Sequence, residues 1–181
     1  MCGLSAIVIG TKWRNSPMNK MLVYFLLLLI QVILSQLIQP GPDWVLTILP
    51  VMMLCFPTDW STLRCMLFAF FSALFVDFFS GGIIGLNVLA LVPVAWSRNF
   101  FLRKFFNDEL VDRGAALSMR KWGFPAVLGL IVLLTALFLL VYIVVDASDQ
   151  RSLLLEGRTF LLSLVCDTVL ALLVLPSILE R

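Results

Sequence analysis

The chain has 181 residues, 61% of them hydrophobic and 13% charged, with a formal net charge of +2 and no histidine. A soluble domain is nearer half apolar and a quarter charged, so a chain this apolar lacks the polar residues to cover itself in water. A water-soluble globule is excluded on composition, and the missing histidine removes the commonest metal ligand and general base.

The mean hydropathy is +1.05, and the apolar runs are continuous. Alternation of apolar and polar residues, the mark of a transmembrane barrel, is missing. Backbone polar groups in hydrocarbon must be bonded internally, which leaves helices. The expectation is an all-α integral membrane protein with one domain of about six transmembrane helices over residues 21–179.

Residues 1–20, with Lys12, Arg14 and Lys20, read as a cytoplasmic leader. The first span covers about 21–38. Ser35-Gln36-Leu37-Ile38-Gln39 offers no small-x-small cleavage site, so this is an uncleaved span rather than a signal peptide. Gln39-Pro40-Gly41-Pro42-Asp43 is a turn by composition. The second run, about 44–57, contains Pro50 and falls short of the roughly 20 residues that cross a bilayer upright. Ser61 or Thr62 is placed to cap the third span, about 62–79. Ser80-Gly81-Gly82 turns the chain, and the fourth run, about 83–96, is again short. Residues 97–123 form a basic loop with Phe100, Phe101, Phe105 and Phe106 among its charges; Phe101, Leu102, Phe105 and Phe106 share one side of a helix, so its start lies in the interface. Residues 124–145 are a span without a charge, and a final span covers about 160–179.

Counting Lys and Arg by loop sets the orientation. With both termini in the cytoplasm and six crossings, 11 basic residues lie inside and two, Arg151 and Arg158, outside. A four-crossing arrangement, with the two short runs re-entrant, moves only Arg64 and gives 10 to 3.

Six spans put the Ser80–Gly82 turn on the outer side. Asp77, Asn87 and Asp167 then lie at similar depths, roughly 5 to 10 Å in from that face at 1.5 Å per residue. Gln36 lies near the outer end of the first span and Gln31 nearer its middle. These five residues outline an outer-half polar pocket, read as interhelical hydrogen bonding, as a docking or binding site, or as a proton or cation path. Ser80, Gly81 and Gly82 serve the turn, while Gly85, with Ala69, Ser72 and Ala73, suits close helix approach. Arg103, Lys104, Phe105 and Phe106 are the candidate cytoplasmic contact, for a partner or anionic lipid. Cys2, Cys55, Cys65 and Cys166 have no paired spacing, so neither a disulfide nor a metal site is expected. No nucleophile–base pair, phosphate loop or cofactor motif appears, so the chain does not read as an enzyme.

Two stretches carry a family resemblance. Pro42-Asp43-Trp44-Val45-Leu46, followed by Asp77-x-x-Ser80-Gly81-x-x-x-Gly85-x-x-x-x-Ala90, resembles the rod-shape-determining MreD family. The likeness runs from about residue 21 to 180. The final span carries Asp167 where the family pattern leads one to expect asparagine.

The resemblance implies a non-enzymatic protein of the bacterial inner membrane, a member of the cell-wall elongation machinery. It implies binding to MreC, with RodA, a class B penicillin-binding protein and MreB in the same assembly, and no nucleic acid partner. It also implies a fold similar to the six-helix substrate-binding subunits of energy-coupling-factor transporters. The alternative reading is a transport subunit that binds a small vitamin-like molecule in the outer-half cleft. The chain has only two tyrosines, Tyr24 and Tyr142, which disfavours such a pocket.

Overall fold

The computed structural model describes residues 17–37, 45–56, 58, 60–81, 83–105, 123–146 and 153–178. Among these residues every regular element is helical. The order is α1 (Pro17–Leu37), α2 (Leu49–Met52), a single 3₁₀ turn (Met53–Cys55), α3 (Thr62–Ser80), α4 (Leu86–Phe105), α5 (Phe124–Asp146) and α6 (Leu153–Ile178). Three helical stretches, Thr62–Ser80, Phe124–Asp146 and Gly157–Val174, are long and apolar enough to cross a membrane, and Met21–Gln36 is a shorter apolar helix.

The helices begin and stop for local reasons. Pro17 opens α1, at a position where its missing N–H is not needed. Gly81 ends α3 in the left-handed conformation, φ +68°, which a residue without Cβ adopts at little cost. Ser61 stands at the N-cap of α3 but makes no side-chain capping bond. Instead Asn99 of α4 donates to the Thr62 hydroxyl at 3.0 Å and to the Trp60 carbonyl at 3.3 Å. The start of α3 is thus tied to a neighbouring helix rather than capped by its own serine.

Two of the expected spans take a different form. The fourth does not stop at Trp96. Helix α4 continues through Phe105, because the stripe Leu91, Val94, Ala95, Arg98 and Leu102 keeps helical spacing and is buried along its length. The second is barely helical. Residues 45–48 are non-helical, and only the four residues of α2 and one 3₁₀ turn follow. A helix that short has no stability of its own.

The chain nevertheless crosses the bundle there. Gln36, near the C-terminus of α1, donates to the carbonyl of Phe79, near the C-terminus of α3. Near the other ends, Tyr24 of α1 packs on Phe56 with ring centroids 4.8 Å apart, and Phe56 packs on Phe68 of α3 at 5.4 Å. So α1 and α3 run parallel, and the chain between them travels from one end of the bundle to the other. We call these the turn end, holding the α3–α4 turn, and the arginine end, holding Arg98. α4 returns antiparallel to α3. A Cβ at Gly129, in the first half of α5, would lie 3.4 Å from the Phe105 ring, which puts the start of α5 at the arginine end.

Residues Ile48–Leu54 are buried at the centre of the core, with Met52 and Met53 fully covered. They pack among Leu27 and Leu28 of α1 and the buried side of α5, including Leu130, Leu134 and Phe138. The outside carries exposed Phe70, Phe71, Phe78, Leu161 and Leu173. An apolar interior within an apolar exterior suits a lipid surround and not water.

Candidate functional site

Most of the buried polar residues fall into three sets, and all three act on backbone. The first closes the α3–α4 turn. Asp77 is 2% exposed. Its Oδ2 accepts the Gly85 N–H at 2.8 Å, and its Oδ1 accepts the Asn87 amide Nδ2 at 2.7 Å and the Asn87 N–H at 3.3 Å. Ser80 returns its hydroxyl to the Asp77 carbonyl at 3.3 Å. A carboxylate near the C-terminus of its own helix opposes that helix's dipole; here it faces the N-terminus of α4, where unpaired N–H groups and positive potential favour it. Gly85 has φ +99°, and a Cβ there would meet nothing within 4 Å. Its role is therefore the backbone conformation, not the close helix approach expected from the sequence. Ala69, Ser72 and Ala73 of the small-residue strip are buried. Gly82 lies outside the described residues.

The second set holds the non-helical stretch 45–48. Val45 N–H donates to the Ser163 hydroxyl at 2.8 Å, and Thr47 N–H donates to Asp167 Oδ1 at 2.8 Å. Ile48 N–H donates to Gln31 Oε1 at 2.7 Å, and Leu49 N–H to the Thr47 hydroxyl at 3.2 Å. Buried backbone without helical partners is costly unless other groups bond it. Ser163 and Asp167 lie on one face of α6, four residues apart, and supply acceptors to alternate residues, Val45 and Thr47, of the non-helical chain beside them. Gln31 supplies the next from α1.

The third set lies at the arginine end. Arg98, fully buried, donates from Nη2 to the Phe56 carbonyl at 2.6 Å and from Nη1 to Asn99 Oδ1 at 3.2 Å. Cys65 Sγ is 3.8 Å away. The crossing segment is thus secured at both of its ends by side chains of other elements. Phe56 also stacks on Trp60, centroids 4.9 Å apart.

The five residues expected to share one pocket are therefore divided. Asp77 and Asn87 meet each other, Gln31 and Asp167 meet on the crossing segment, and Gln36 reaches the Phe79 carbonyl. Arg103, Lys104 and Phe105 are exposed at the end of α4, and Phe106 lies outside the described residues. Cys65 and Cys166 are free thiols. Among the described residues no group of three or more His, Cys, Asp or Glu is placed to hold a metal.

Ser163, Thr47 and Arg98 carry as much of this arrangement as the expected residues do. Arg98 had a signal in the sequence, since it continues the buried spacing of Leu91 and Val94–Ala95. Ser163 had only its spacing from Asp167. Compared with protein-family profiles, with curated proteins and with solved structures, the chain has no significant match.

Proposed function

We propose that this chain is a non-enzymatic membrane scaffold of the bacterial elongation machinery, similar in role to MreD, which binds MreC and joins the peptidoglycan synthase to the cytoskeleton. The observation that carries the proposal is the turn itself. The residues of the resemblance, Asp77, Ser80, Gly81 and Gly85, form one capped helix-to-helix connection, in which each has a distinct task. A scaffold needs such a rigid frame and no reactive group. Asp77, Gln31, Ser163 and Arg98 are engaged with the chain's own backbone, so in this reading a partner helix is met by the outer faces.

In this reading the arginine end is cytoplasmic. Arg64 opens α3 there, Arg98 is buried there, and exposed Arg103 and Lys104 extend from it, as the excess of basic residues on the inner side requires. RodA, the class B penicillin-binding protein and MreB belong to the same proposed assembly, in the inner membrane.

The test is capture of this chain by affinity-tagged MreC from detergent-solubilised membranes that contain both. Retention through washing is expected. If a control blot shows the chain inserted in the same membranes but none is captured, the scaffold role fails. Orientation is tested separately. A cysteine in place of exposed Ile83 is expected to react with an impermeant maleimide from the periplasm, and one in place of Lys104 only after the membrane is opened.

A further inference from the structure

Asp167 is buried to 1% exposure, and among the described residues the Thr47 N–H is its only hydrogen-bond partner. Its second oxygen, Oδ2, is buried with no partner at all. A carboxylate in that setting is an uncompensated charge in the interior, which proteins avoid by pairing, metal coordination or a proton. Among the described residues, no titratable side chain on the elements packed against α6 bonds Asp167: neither Tyr24 of α1 nor Tyr142 and Asp146 of α5, nor Arg158 and Cys166 of α6 itself.

The chain beside Asp167 is where the second crossing is unwound. Three neutral side-chain oxygens, Ser163 Oγ, Gln31 Oε1 and Thr47 Oγ1, gather on residues 45–49 by accepting their N–H groups. Each oxygen has lone-pair capacity left after that one bond. Thr135 of α5, a helix that also packs on α2, has a second buried oxygen without a partner. A helical threonine commonly returns its hydroxyl to the carbonyl four residues back, as Thr168 does to Leu164 at 2.6 Å, but Thr135 does not. One carboxylate, several neutral oxygens and a broken membrane segment together suit a single positive charge.

We infer that Asp167, with the oxygens that hold residues 45–49, forms a binding site for a proton or a small monovalent cation, the charge being received at Asp167 Oδ2. The shared chemistry is one positive charge on a buried carboxylate. A proton gives Oδ2 a hydrogen and makes the group an acid. Sodium or lithium instead draws on the neutral oxygens as additional ligands. The inference stands apart from the scaffold proposal, since it needs no partner protein.

Purified full-length protein in detergent distinguishes the two sources. The probe for a proton is dicyclohexylcarbodiimide, which adds to a carboxylic acid and not to a carboxylate; labelling is read by mass spectrometry of the Asp167 peptide. The probe for a metal cation is sodium chloride against choline chloride at equal ionic strength, read as a change in unfolding temperature and as protection from labelling. A proton site gives labelling of Asp167 several-fold above that of Asp77, falling as pH rises and indifferent to sodium. A sodium site gives a higher unfolding temperature in sodium than in choline, with labelling suppressed by sodium. Asp167→Asn, which keeps an acceptor for Thr47, is expected to fold and to lose whichever response is found. Absence of both responses overturns the inference, and so does a cation response that survives in Asp167→Asn.

Discussion

Asp77 and Asp167 are two aspartates on apolar helices, almost equally buried, and the chain uses them differently. Both oxygens of Asp77 are filled by three N–H donors from one helix N-terminus. Asp167 receives a single N–H on one oxygen and nothing on the other. The first group completes a turn. The second is saturated on one side only, next to a stretch of chain that has left helical geometry. Burial alone does not assign a role to an intramembrane carboxylate; the number of donors around it does.

The largest expected effect tests the turn. Asp77→Leu orphans the half-buried Gly85 and Asn87 N–H groups, at a cost of about 3 kcal/mol, since each unsatisfied buried donor costs roughly 1–3 kcal/mol. It is expected to lower the unfolding temperature in detergent substantially, with Asp77→Asn intermediate, because an amide keeps one acceptor. Next comes the opposite end of the crossing segment. Arg98→Met removes the donor to the Phe56 carbonyl and is expected to cost about 2 kcal/mol, in the range for hydrogen bonds to charged groups. Unfolding of this variant in detergent checks the value.

A smaller loss is expected for Asp167→Leu, about 1–2 kcal/mol, because one backbone donor, Thr47 N–H, is orphaned rather than two. Asp167→Asn is expected to stay close to the parent. If Asp167→Leu proved as damaging as Asp77→Leu, the contrast between a saturated and a half-saturated carboxylate would collapse. The smallest effect is expected at Gly85. Gly85→Ala places a Cβ in open space but holds alanine at φ +99°, a strain of about 1–2 kcal/mol with no clash to add to it. A larger loss there would mean that Gly85 packs against something else, as the sequence first suggested.

Much of the frame was legible in the residues. The length and apolarity of the third and fifth runs predict α3 and α5, because a continuous apolar stretch of that length has few alternatives in lipid. The glycine turn after Ser80 was legible too, since a residue without Cβ is the ready solution for φ +68°. The helical start of the basic segment is legible as well, but its continuity with the fourth run through Arg98 is not. A charge reads as loop when taken alone, yet its spacing from Leu91 and Leu102 put it on the buried stripe.

The crossing at 45–56 shows the limit most clearly. Its shortness and Pro50 marked it as odd, but nothing local decides between a short helix, a re-entrant loop and an unwound crossing. That choice depends on whether distant side chains can replace the missing helical bonds. Ser163, Asp167 and Gln31 do so at one end and Arg98 at the other, across sequence separations that no periodicity records.

The sequence by itself thus determined that the chain is helical and apolar, where it turns after Ser80, and that a few polar groups such as Asp77 and Asp167 lie within its apolar runs. Those follow from local chemistry and the exclusion of water. Only the tertiary structure decided which backbone each polar group serves, and so which aspartate is saturated and which is not. Hydrogen bonds between elements depend on how helices are placed in space, and helix placement is a property of the whole bundle.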